Sequence, residues 1–193
     1  MGGRCWIRSR GGRGLAAAWI LCLGAGLPAP AAEKAKPAAK APAATSSASG
    51  VARVDGKPLT LTAGYLFRAP DAFDAKQRNA VVLLVPQPLD AAKLGAAGTL
   101  FEAFALAPHR VVLEIRPDRS IALAICHDGF GEGKCYHTTL APFDWKPGTV
   151  EASRVSGSVT SFAGKEETVF ETIRLYYEAR FDVTGDRVFA ARR

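Results

Sequence analysis

From Ile173 to Val183 the chain alternates without a break. Ile173, Leu175, Tyr177, Ala179, Phe181 and Val183 hold one parity, and Arg174, Tyr176, Glu178, Arg180 and Asp182 hold the other. A period of two puts the sets on opposite faces of an extended strand, whereas a helix repeats its apolar residues every three or four. The segment therefore demands a sheet with one wetted face and a second layer to bury the other. The same pattern recurs in Leu59, Leu61, Ala63, Tyr65 and Phe67, with Thr60 and Thr62 opposite. It recurs again in Val111, Leu113 and Ile115, and in Ile121, Leu123 and Ile125. Val81-Val82-Leu83-Leu84-Val85 is apolar at both parities, which predicts a strand covered on both faces.

Turn chemistry links these runs. Asp55-Gly56 supplies the positive φ angles of a two-residue hairpin, and Pro117-Asp118 and Thr184-Gly185-Asp186 read as further hairpin turns. One helical stretch intervenes. Asp90 is its N-cap, Leu94, Leu100, Phe101, Phe104 and Leu106 form an apolar stripe, and Gly95 and Gly98 split it into two short pieces. Trp145, ahead of Lys146-Pro147-Gly148, is expected to anchor a turn with its indole on a backbone carbonyl, and Glu166-Glu167 reads as a solvated loop. The expected fold is mainly all-β: an antiparallel β-sandwich or barrel-like sheet, with one short helical insertion covering an opening or an edge.

The 193 residues carry a formal charge of +7, which invites a nucleic-acid reading until the charges are located. Arg4, Arg8, Arg10 and Arg13 contribute four positive charges, and residues 33–50 contribute a net two, leaving residues 51–193 at +1. Nucleic acid is therefore not an expected partner. Residues 1–31 have the build of a secretory signal: a basic segment to Arg13, an apolar segment from Leu15 to Leu27, and small residues around Ala29-Pro30-Ala31. Cleavage near Ala31 or Ala32 is expected to leave no stable membrane span and a periplasmic or secreted protein. Residues 32–50 are Ala, Lys, Pro and Ser without an aromatic, and read as a disordered tether whose lysines could also touch an anionic surface. Residues 51–193 then form a single β-rich domain.

Cys5 and Cys22 fall in the leader, so Cys126 and Cys135 remain. An even pair in an exported protein predicts a disulfide, here stapling the hairpin tip His127-Asp128-Gly129-Phe130-Gly131-Glu132-Gly133-Lys134. The same stretch holds Cys126, His127, Cys135 and His137, four metal-ligand types. Neighbouring residues on a strand point to opposite faces and no CxxC knuckle is present, so no metal and no cofactor are expected.

The chain has three histidines and lacks G-x-S-x-G, a P-loop and H-E-x-x-H. A possible binding loop is assigned to His127, Asp128, Phe130 and His137, with Phe130 as an exposed aromatic that could meet a partner or fold back.

Val54-Asp55-Gly56-Lys57-Pro58-Leu59-Thr60-Leu61, Tyr65 and Arg68, the strand Val81-Val82-Leu83-Leu84, Pro88-Leu89 and the aromatic strand Tyr177 to Val183 together resemble a group of exported bacterial β-rich domains of unknown function. The resemblance covers most of residues 51–190, departs from the group at Ala63-Gly64, where a histidine is usual, and implies export and a β fold but no catalytic residue. The expected function is a non-enzymatic binding module contacting an envelope protein or a cell-wall polymer. The alternative is a hydrolase or metal-dependent enzyme using His127, Asp128 and His137. A structural envelope component that pairs through sheet edges is a third reading.

Overall fold

The computed structural model describes residues 47–190 except 72, 73, 75 and 140–142, so the expected leader and the tether up to residue 46 lie outside the described residues. Two sheets face each other across one apolar layer.

The long alternating run is β11 (Ile173–Thr184), and its position explains its pattern. It lies inside the first sheet, with β1 (Ser49–Val54) antiparallel on one flank and β10 (Glu167–Val169), then β9 (Arg154–Ser161), on the other. β2 (Lys57–Leu61) extends the sheet beyond β1, and β8 (Phe143–Val150) extends it beyond β9. Leu175, Tyr177, Ala179, Phe181 and Val183 are all buried against the opposing sheet. Asp55 and Gly56 turn β1 into β2 with φ of 49° and 78°, the left-handed pair that a two-residue hairpin requires. Pairing begins earlier than composition indicates: Ser49 and Gly50 belong to β1 and Ala48 is buried. Small residues are needed there, since a Cβ on Gly50 would lie 2.2 Å from the Glu178 carbonyl oxygen.

The second sheet runs in the order β12 (Arg187–Val188), β3 (Ala63–Pro70), β4 (Arg78–Val85), β5 (Arg110–Ile115), β6 (Ile121–Cys126), β7 (Cys135–Thr138). β4 is apolar at both parities because each face has a cover. Val82 and Leu84 join the inter-sheet core, while Val81, Leu83 and Val85 pack under α1 (Ala91–Ala96) and α2 (Leu100–Ala105).

Five expectations are corrected. The run Leu59 to Phe67 is two strands, because the chain changes sheets at Thr62, whose N–H donates to the Val85 carbonyl at 3.0 Å and whose hydroxyl donates to the Pro86 carbonyl at 2.7 Å. Leu59 and Leu61 therefore enter the inter-sheet core, whereas Ala63, Tyr65 and Phe67 face the helices. The helices cover a sheet face rather than an opening or edge. Their stripe is also broken, since Thr99 caps α2 afresh and resets its phase, burying Ala103 and leaving Phe101 65% exposed. Thr184-Gly185-Asp186 is no hairpin: it carries the chain to the other sheet, where β12 pairs parallel with β3. Finally, Trp145 sits on β8 and stacks on Phe181 with ring centroids 6.0 Å apart, although its indole N–H does reach a carbonyl, that of Arg119, at 3.2 Å.

Candidate functional site

β6 and β7 place Cys126 and Cys135 directly opposite each other, and the two are bonded, with S–S 2.02 Å and Cα–Cα 4.2 Å. Past Cys126 the chain turns inward. His127 is buried, and its Nδ1 accepts the Gly129 N–H at 2.8 Å, capping a single 3-10 turn over Asp128–Phe130. Burial is the main cause that holds the His127 imidazole below its usual pKa; the neighbouring Asp128 charge is the largest cause opposing it, followed by a backbone hydrogen bond to Lys57. This is a neutral histidine used to build a turn. Gly129 is required beneath it, since a Cβ there would meet Val54 Cγ1 at 2.5 Å. The turn sends Phe130 into the inter-sheet core at 5% exposure, so of the two outcomes open to this aromatic it is the folding back that occurs.

The other residues assigned to the loop are scattered. His137 is exposed and pairs opposite Ala124, on the helix-side face of the second sheet. The Asp128 side chain is 75% exposed and lies 3.6 Å from His109 Nε2, an open contact of little energetic weight. His137 therefore stands apart from His127 and Asp128, which share the 3-10 turn. Among the described residues no group of three or more His, Cys, Asp and Glu side chains is placed to hold a metal.

A different set converges. The Phe130, Tyr136 and Phe170 rings pack together, Phe170 standing edge-on to Phe130 and to Tyr136 at 5.9 Å in each case. Phe170 is 59% exposed and occupies the β10–β11 turn, where Phe170 and Glu171 have φ of 49° and 68°. A bulky non-glycine residue in this region is strained, and strain of this kind persists only where its surroundings impose it.

Behind these rings lies a polar pair. Glu167 is the direct cross-strand partner of Leu175 and so shares its inward face, one step along the sheet from Tyr177. Glu167 Oε1 and the Tyr177 hydroxyl are both buried without a hydrogen-bond partner among the described residues. They sit where β11 changes neighbour from β9 to β10. There the ladder lapses and the Tyr177 N–H donates to the buried Ser161 hydroxyl at 2.8 Å instead. Burial raises the Glu167 carboxyl above its usual range, and burial first and the Glu167 charge second raise the Tyr177 and Tyr136 phenols. The arrangement offers one exposed ring, a rigid aromatic backing and two polar atoms with unused hydrogen-bonding capacity.

Reading Glu166-Glu167 as a solvated loop misses this, although Glu167 and Val169 keep the spacing of two that marks a strand. Phe170-Glu171-Thr172 contains no glycine to announce a left-handed turn. No helix among the described residues is long and apolar enough to cross a membrane. Comparison with protein-family models, with curated proteins and with solved structures gives no match.

Proposed function

We propose that this chain is an exported, periplasmic or secreted binding module that contacts an envelope protein or a cell-wall polymer through the end of the sandwich bearing Phe170. One observation carries the reading: a large aromatic residue held mostly in solvent by a strained, glycine-free turn and backed edge-on by two further rings. Leaving Phe170 out costs backbone strain and hydrophobic exposure together, and neither is relieved within the described fold. Rigid aromatic anchors of this kind carry a large share of binding energy at interfaces. The leader, the tether and the resemblance to exported β-rich domains support the compartment.

The test has two arms. Purified protein is sedimented with isolated cell-wall sacculi, and a photo-crosslinking residue is placed at position 170 or at Val188, an equally exposed apolar position on β12, in the envelope. Retention on sacculi that is lost in Phe170→Ala, or a discrete adduct from position 170 absent from position 188, supports the module. Equal cross-linking at the two positions, with no retention to lose, overturns it.

A further inference from the structure

Ile121, Leu123 and Ile125 fill the inter-sheet core, so Cys126, at the other parity of β6 from Ile125, lies on the opposite face with Ala122 and Ala124. Its direct cross-strand partners share that face: Cys135 on β7 and Arg110 on β5. His137, two residues after Cys135, shares it too. Cys126, Arg110 and His137 line one open groove of ≈ 200 Å³, together with Phe104, Val112 and Ala124. Glu114 also borders the groove, but its carboxylate accepts the Asn79 amide at 2.5 Å. Cys135 is half-buried and lies on a four-residue strand at the end of the sheet.

Arg110 is fixed in position yet not fully used. One terminal nitrogen donates to the Ala107 carbonyl at 2.7 Å, and the guanidinium lies 5.3 Å from the Phe104 ring centre. Its Nε–H is buried with no acceptor among the described residues. Arg110 is the direct cross-strand neighbour of Cys126 and lines the same groove, so a thiolate formed at Cys126 would carry its charge on the face that holds this guanidinium.

We infer that the Cys126–Cys135 bridge is an exchange-competent redox pair whose co-reactant is a dithiol, with Arg110 positioning and stabilising the departing sulfur. A thiolate of the dithiol attacks Cys135 Sγ. A new S–S bond forms to Cys135, the Cys126–Cys135 bond breaks, and its electron pair leaves on Cys126 as a thiolate facing Arg110. The second thiolate of the co-reactant then attacks its own sulfur in the mixed disulfide and releases Cys135. The dithiol is oxidised by two electrons to a disulfide, and its two protons end on Cys126 and Cys135. The reverse sequence oxidises the pair again.

The test uses the mature protein and dithiothreitol as the probe, with timed alkylation and mass analysis in native buffer, beside the global unfolding rate measured separately. The expected result is reduction much faster than global unfolding, and about tenfold slower exchange in Arg110→Gln with rescue by Arg110→Lys. Reduction no faster than unfolding overturns the inference and leaves the bridge an inert staple. Folded Arg110→Gln that exchanges like the unsubstituted protein overturns the role of Arg110. If Arg110→Gln does not fold, the comparison of native exchange with unfolding still decides whether the bridge is reactive.

Discussion

Phe170 meets Phe130 edge to face, 5.9 Å between centroids at 88°, so a ring in solvent closes over a ring in the core. The exposed ring is thereby tied to the inter-sheet layer, and its orientation is not free. Phe170→Ala is expected to cost about 1 to 2 kcal/mol from the lost aromatic contacts, and to lose retention on sacculi almost entirely. Urea unfolding beside the sedimentation assay checks it. A stability loss with unchanged retention would make Phe170 a plug rather than an anchor.

His127 yields a prediction in acid. Its folded pKa is depressed below the ordinary 6.5, mainly by burial, so the neutral form is favoured in the fold. The stability it contributes is fully present above 6.5 and is lost as pH falls through the depressed folded value. His127→Ala is expected to cost about 1 to 3 kcal/mol at neutral pH through the lost cap on Gly129, and to flatten the acid side of the stability profile. Urea midpoints between neutral and mildly acid pH test both parts, and parallel profiles would sink the second.

Glu167 acts in the opposite direction. Burial raises its folded pKa above the ordinary 4.5, so its contribution is complete below 4.5 and is lost as pH rises through the raised value. Glu167→Gln is expected to lose less stability than the unsubstituted protein over that rise. Tyr177→Phe removes a buried hydroxyl that lacks a partner, and is expected to be neutral or to gain about 1 kcal/mol at neutral pH. A clear loss on Tyr177→Phe would mean that the hydroxyl is satisfied by ordered water.

Two glycines separate space from backbone conformation. A Cβ on Gly185 would lie 2.3 Å from the Leu66 carbonyl oxygen, backbone that cannot swing aside. Gly185→Ala is expected to cost about 3 kcal/mol or to prevent folding. Gly56 has open space around it but a φ of +78°, so Gly56→Ala is expected to cost only about 1 kcal/mol. Thermal or urea unfolding of the pair ranks them, and a reversed order would place the crossing between sheets elsewhere than Gly185.

Strands with one wet face were legible because burial writes itself into parity, as in β11, β5 and β6. β9 was not, although Val155 and Val159 point inward with Ser156, Ser158 and Thr160 opposite. Gly157 interrupts the apolar parity because its place is filled by Trp145 from the next strand, 2.6 Å from where a Cβ would be. Parity also says nothing about which sheet a face belongs to, and so the change at Thr62 is silent in the sequence. In the candidate site the disulfide could be read from compartment and count, but the convergence of Phe130, Tyr136, Phe170, Glu167 and Tyr177 depends on cross-sheet packing that no local pattern encodes. Gly129, beside Phe130 in the stapled tip, is there to let the turn press against Val54.

The sheet order sets a timetable for folding. Ser49 and Val54, among the earliest residues of the described fold to be synthesised, pair with Arg180 and Leu175, near its end, and among the described residues the outer edge of β3 is paired by Arg187–Val188. Until those last residues are available, β1 and β2 have only each other, and an isolated two-stranded hairpin is marginal in water. The first sheet therefore cannot close until Ile173–Thr184 are available, and a fragment ending before Ile173 is not a smaller domain but two incomplete sheets with exposed inner faces.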